Sequence, residues 1–130
     1  MRTVNKVILI GNITRDPAIK TTESSKKIAL FTIATNRYYK TADGVQKSES
    51  EFTNCVCFWG LAERCEQFLT KGKLVYAEGR LKTRIIDKED WTKLYKTEVV
   101  VSNIIFLNKR SDFGEIEWES NNTEPEEDKF

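Results

Sequence analysis

The side chains best suited to chemistry in this 130-residue chain are aromatic rings interleaved with cations. They fall in three stretches: NRYYK (Arg37, Tyr38, Tyr39, Lys40), EFTNCVCFW (Phe52, Phe58, Trp59) and KTRIIDKEDWTK (Lys82, Arg84, Trp91, Lys93). An exposed ring offers a π-face on which an unpaired base can stack, worth about 1–3 kcal/mol per base, while lysine or arginine beside it neutralises phosphate. Neither contact needs a hydrogen bond specific to one base, so the set points to the binding of a single strand of nucleic acid. Any one ring would serve equally well as core filling; the reading rests on the group.

Other chemistry has little to work with. Histidine is absent, and there is no GxSxG elbow and no GxxxxGK[ST] loop. Glu49 and Glu51 read as solvated loop charge. A small nuclease using Asp87, Glu89 and Asp90 with a divalent metal is the enzymatic rival, but adjacent loop carboxylates are ordinarily just hydrated. The three cysteines, Cys55, Cys57 and Cys65, would need an uncommon fourth ligand to make a tetrahedral zinc site. Cys55 and Cys57 alternate along an apolar run, so reduced core thiols are expected, with no metal and no cofactor.

Charge divides the chain. Residues 1–110 hold 20 Lys+Arg against 12 Asp+Glu, a net +8, whereas residues 111–130 hold 1 against 8, a net −7. A body of that sign attracts a polyanion, and the tail is expected to stay solvated and disordered. The expected organisation is therefore a binding domain over 1–110 and an acidic tail over 111–130. No stretch approaches the roughly 18 apolar residues of a membrane span, and the N-terminus lacks a signal-peptide h-region. A cytoplasmic, nucleoid-associated protein is the expectation.

These side chains must be positioned by strands. VNKVILIGNI is β-branched, and its run Val7 to Ile10 is apolar on both faces, which implies that the outer face is covered too, by a second layer of this chain or by another copy; so short a chain has little spare material, which favours another copy. KKIALFTIATNRYYK reads as a second strand, the Asp43-Gly44 dipeptide as a turn and SEFTNCVCFW as a third strand. On that third strand Phe52, Asn54, Val56 and Phe58 share one face, assigned to ligand, and Cys55, Cys57 and Trp59 the other, assigned to the core. In GLAERCEQFLTKGK the residues Leu61, Cys65, Phe68 and Leu69 make one helical stripe, with Gly72 as a stop. LVYAEGRLKTRII and LYKTEVVVSNIIFL then bracket the polar DKEDWTK as an extended hairpin, ending near Leu107. The order matches an all-β chain with one short helix, a five-stranded Greek-key barrel of the OB-fold type with its helix between barrel strands three and four; periodicity alone leaves another small α+β domain open, and the choice falls to the residues.

The sequence resembles the bacterial-type single-stranded DNA-binding proteins from Arg2 to about Val101. The resemblance is carried by VNKVILIGNITRDP (4–17), ATNR (34–37), FTNCV (52–56), LAE (61–63), FLTKG (68–72), EGRLKTR (78–84) and TEVVV (97–101), in the same order. It implies an OB-fold subunit, usually in a homotetramer, with a dimer as the smaller option, around which single-stranded DNA wraps without catalysis. Tyr39, Phe52 and Phe58 match base-stacking positions. Arg2, Lys6, Lys71, Lys82 and Arg84 match backbone-contacting positions, and Arg37 and Lys40 flank the Tyr39 platform.

Two departures stand out. Ile86 occupies a position where the family usually carries a further stacking ring; Trp91 is the substitute within reach, with Tyr95 second. The family also has a long linker before an acidic tip ending in Pro-Phe, whereas here the linker is nearly absent and the chain ends Lys129-Phe130. The resemblance implies that Glu126, Glu127, Asp128 and Phe130 dock on replication, recombination and repair proteins, by charge steering and one buried ring. The short linker would also let the tail fold back on its own groove. The alternative function is a replisome or primosome adaptor on the same barrel, acting mainly through protein contacts.

Overall fold

The computed structural model describes residues 2–107, so the expectations for the tail, Glu126, Glu127, Asp128 and Phe130 included, lie outside the described residues. The elements run β1 (Val7–Ile13), β2 (Ala18–Thr21), β3 (Lys27–Lys40), β4 (Gln46–Phe58), α1 (Trp59–Phe68), β5 (Leu74–Asp87) and β6 (Lys93–Leu107). One sheet in the order β1-β5-β6-β4-β3-β2 closes on itself through an antiparallel β1–β3 pairing. Five strands therefore form a barrel, and the extra short strand β2, polar enough to pass for loop in the sequence, is hairpinned onto β3. The parallel contact of β4 with β6, Cys55 opposite Val99 and Val56 opposite Val100, gives the Greek-key closure.

Closure needs sharp bends, and two glycines supply them. At Gly11 an added Cβ would meet the Ala34 carbonyl oxygen, and at Gly79 the Val100 carbonyl oxygen. Gly79 also sits at the register shift in the β5–β6 ladder, so the strand bends there without a side chain in the way.

Inward-facing residues alternate as the strand period demands. Ile13, Phe31, Ile33, Val75, Val99 and Ile104 fill the barrel. Helix α1 stoppers one end with Ala62, Cys65 and the C-cap residue Leu69. Phe68, expected on that buried stripe, is instead exposed and packs its ring on Phe106 at 5.8 Å between centroids, because the helix ends there and Leu69 turns inward. Gly72 has φ 88° and shapes the turn into β5, donating its N–H to the Ile13 carbonyl at 2.7 Å.

The cysteines are free and buried. The Cys57 and Cys65 sulfurs lie 3.4 Å apart, tying β4 to α1. Their hydrogen bond, and then burial, raises Cys57, while the same bond holds Cys65 below the ordinary thiol range. Burial pushes the Cys55 thiol up to about 12. Among the described residues, no helix is long and apolar enough to cross a membrane.

Two hairpins project beyond the barrel. β3 past Ala34 and β4 before Phe52 pair only with each other, and so do β5 past Gly79 and β6 before Val99. The β3–β4 turn uses Asp43-Gly44, with Gly44 at φ 84°. The Asp43 carboxylate accepts from the Thr41 hydroxyl, which lowers its pKa. At the β5–β6 tip Trp91 itself takes the left-handed conformation, φ 71°, and stands 94% exposed.

Candidate nucleic-acid interface

The β3–β4 ladder runs in continuous register from Ile28 opposite Phe58 to Lys40 opposite Gln46. With side chains alternating, Tyr38, Phe52, Asn54 and Phe58 share one face. Tyr38 is 69% exposed, Phe52 64% and Phe58 37%, so three rings lie open on the outside of the ladder. Phe52 and Phe58 are two of the three stacking rings that the resemblance implies, and the third is Tyr39. Tyr39 lies on the reverse face with Arg37, whose guanidinium sits 4.7 Å from its ring centre. The signal for Tyr38 was parity across the hairpin, legible once the turn and register are known.

Two expectations for this strand are corrected. Val56, assigned to ligand, is buried, because its cross-strand neighbours Leu30 and Val100 close over it from both sides. Trp59, assigned to the core, is 46% exposed. The chain leaves the extended conformation at Phe58 and turns at Trp59 through φ 57°, so strand alternation stops one residue early. Its ring then packs beside Phe58 at 5.6 Å with Lys26 over it at 5.1 Å, widening the aromatic surface.

Beside these rings lies a cleft of about 470 Å³. Its cations are Arg15, Lys20, Arg84 and Lys96, outnumbering the carboxylates Asp16 and Glu98 that also line it; of these cations the sequence singles out Arg84 alone. Thr32 and Asn54 also line it, and the Thr32 hydroxyl donates to the Asn54 Oδ1 at 3.0 Å, leaving the amide NH2 free to donate. Lys82, Arg84 and Ile86 follow one another on the face of β5 that carries this cleft, with Lys96 and Leu94 opposite Arg84 and Ile86. Lys71 stands near the rim, its backbone N–H bonded to the Asp16 carboxylate at 2.9 Å.

The remaining predicted residues are dispersed. Lys40 is exposed beside the β3–β4 turn, and Trp91 stands at the far tip of the other hairpin. Arg2 begins the N-terminal segment, which Asn5 anchors to β5 by a reciprocal pair of hydrogen bonds with the Leu81 backbone, 2.9 and 2.8 Å. Lys6 lies on the far side of the barrel, where its ammonium meets Glu78 at 2.8 Å. That hydrogen bond raises the Lys6 pKa and lowers that of Glu78, which Tyr76 lowers further.

Several cations are thus already paired. Arg37 meets Glu49 at 2.7 Å, and Arg84 meets Glu98 at 3.5 Å. Glu49 and Glu51, expected as loop charge, lie within β4, which starts at Gln46 and extends the hairpin further than the apolar pattern indicates. At the β5–β6 tip Asp87 faces Lys93 at 3.6 Å and Asp90 accepts from the Thr92 hydroxyl at 2.6 Å. Among the described residues, no group of three His, Cys, Asp or Glu side chains is placed to hold a metal ion.

A closed five-stranded Greek-key barrel carrying open rings and a cation-lined cleft on its outer face defines an OB-fold of the nucleic-acid-binding class. The family model described as Single-strand binding protein family matches residues 4–107, and the chain belongs to that family. Among its relatives, Single-stranded DNA-binding protein 1 of Staphylococcus aureus (strain MSSA476) is 39% identical over 83% of this chain and 68% of its own. The Single-stranded DNA-binding protein of Bacillus cereus is 38% identical over 86% of this chain and 65% of its own. Among solved structures, a Plasmodium falciparum SSB in complex with ssDNA superposes with a TM-score of 0.77 at 29% identity, covering 83% of this chain and 98% of the other.

Proposed function

We propose that this protein coats single-stranded DNA with little base preference, without catalysis and without a cofactor, during replication, recombination and repair in the cytoplasm. The observation that carries the reading is the trio Tyr38, Phe52 and Phe58 on one open face of the β3–β4 ladder, bordered by the cleft of Arg15, Lys20, Arg84 and Lys96. Stacking needs only a π-face and phosphate neutralisation only a cation, so a surface of this kind binds strands of any sequence.

Self-association fits the opposite side of the barrel. There Ile8, Ile10 and Ile105 are each about half exposed, and Ile10, Tyr76 and Ile105 form one cross-strand row. A second copy covering that row would bury it, and a homotetramer built from two such contacts would carry single-stranded DNA around its circumference. The acidic end, net −7 over residues 111–130, complements basic pockets on partner enzymes, with Phe130 as the anchoring ring.

Titration with oligo-dT and with duplex of equal length, at several salt concentrations, tests the central claim. Affinity for the single strand should exceed that for duplex and fall steeply with salt. Equal affinity for both, or affinity flat in salt, overturns it. Native mass measurement of the free and bound protein gives subunit number and stoichiometry together.

A further inference from the structure

Glu49 does more than balance charge on the β3–β4 hairpin. It stands directly opposite Arg37 in the ladder, its Oε1 accepting from the guanidinium at 2.7 Å. The same guanidinium lies 4.7 Å from the centre of the Tyr39 ring, so one carboxylate both neutralises the cation and holds it over the ring. Lys47 is the next residue on this face, opposite Tyr39. The reverse side of the hairpin therefore carries a ring, the two cations Arg37 and Lys47 and the two carboxylates Glu49 and Glu51, of which only Glu49 is paired with Arg37 beside the ring.

We propose that Glu49 is a built-in competitor for DNA phosphate: it holds Arg37 on Tyr39 and keeps this reverse face from contributing fully to binding. The inference rests on the single-strand-binding reading above. Both members of the pair are open to solvent, with side chains 66% and 45% exposed, so phosphate reaches Arg37 without unfolding anything. An exposed ion pair adds little to folding stability, so loss of Glu49 leaves the hairpin standing on its turn and ladder. What the pair changes is the count of cations available to phosphate. Each cation engaged on single-stranded DNA adds about 0.7 to the slope of log affinity against log salt concentration.

Glu49→Gln keeps the shape and removes the charge. Its affinity for oligo-dT at low salt should rise about two- to fivefold, the range a competing exposed pair spans, with melting temperature near that of the parent. The salt slope should steepen by about 0.7 for each subunit whose hairpin touches DNA. A general electrostatic gain would appear whatever occupies position 37, so the same change is made in an Arg37→Gln background, where it should have no effect on slope or affinity. Glu49→Gln with parental slope and affinity, or with an equal gain in the Arg37→Gln background, overturns the proposal. If the parent protein itself shows no salt-dependent binding of oligo-dT, the functional reading fails; normal parental binding with a silent Glu49→Gln sinks only the role of Glu49.

Discussion

The two hairpins that reach beyond the barrel differ in what they could offer a strand. The β3–β4 hairpin, residues 34–52, has three basic and three acidic side chains, a net charge of zero, and carries Tyr38, Tyr39 and Phe52. The β5–β6 hairpin, residues 79–98, has six basic and four acidic side chains, a net of +2, and on its cleft face presents Lys82, Arg84 and Lys96 with Ile86 where a ring would extend the stack. Facing the cleft, the first arm is the richer in rings and the second in charge; the second arm's own exposed rings, Trp91 and Tyr95, lie at its tip and off the row of Lys82, Arg84 and Ile86. Stacking works at short range and is nearly indifferent to salt, whereas phosphate neutralisation is a counterion effect; changes in the two arms should therefore be separable by salt alone.

The largest effect is expected on the aromatic arm. Phe52→Ala should weaken oligo-dT binding by about 1–3 kcal/mol at every salt concentration, with the slope unchanged. If that loss instead fades as salt rises, the division between the arms breaks. Next comes repair of the other arm: Ile86→Trp, two residues beyond Arg84 on the cleft face, should strengthen binding by about 1 kcal/mol as a new platform, read in the same titration. No gain would mean that the strand does not pass over this position.

Lys82→Ala should act differently again. Binding at low salt falls, the slope decreases by about 0.7 per engaged subunit, and the parent and variant curves converge at high salt. Smallest of all is a contribution away from both arms. Glu78 has a folded pKa below its ordinary value because Lys6 and then Tyr76 hydrogen-bond its carboxylate. Its stabilising share is thus present above the ordinary value of 4.5 and is lost as pH falls through the lower folded value. Acid melts of Glu78→Gln should show a slightly shallower loss of stability below that pH; since the carboxylate is half-buried at the surface, with its side chain 26% exposed, a large change would point to a role in self-association.

The strands, the helix and the Asp43-Gly44 turn were legible because each has a local signature: β-branched runs of period two, one stripe of period 3.6, and a dipeptide that tolerates positive φ. β2 was not, since Ala18–Thr21 is short and mixed and becomes a strand only by pairing with β3. Phe52 and Phe58 could be placed on one face by counting along a single strand. That Tyr38, and not Tyr39, shares their face could not, because it depends on register across a turn, and a slip of one residue exchanges the faces.

The amino-acid sequence by itself determined the main strands and the helix, the interior place of the cysteines, the excess of positive charge over the first 110 residues and the stock of rings and cations. These follow from composition and from periodicities that each segment carries alone. Tertiary structure decided which of those groups act together. Arg37 and Glu49 are twelve positions apart and Arg84 and Glu98 fourteen, yet pairing across a ladder brings each couple into contact. Likewise Arg15, Lys20, Arg84 and Lys96 meet in one cleft only because the sheet closes. Residues far apart in the chain become neighbours through register and curvature, and those are properties of strands in combination.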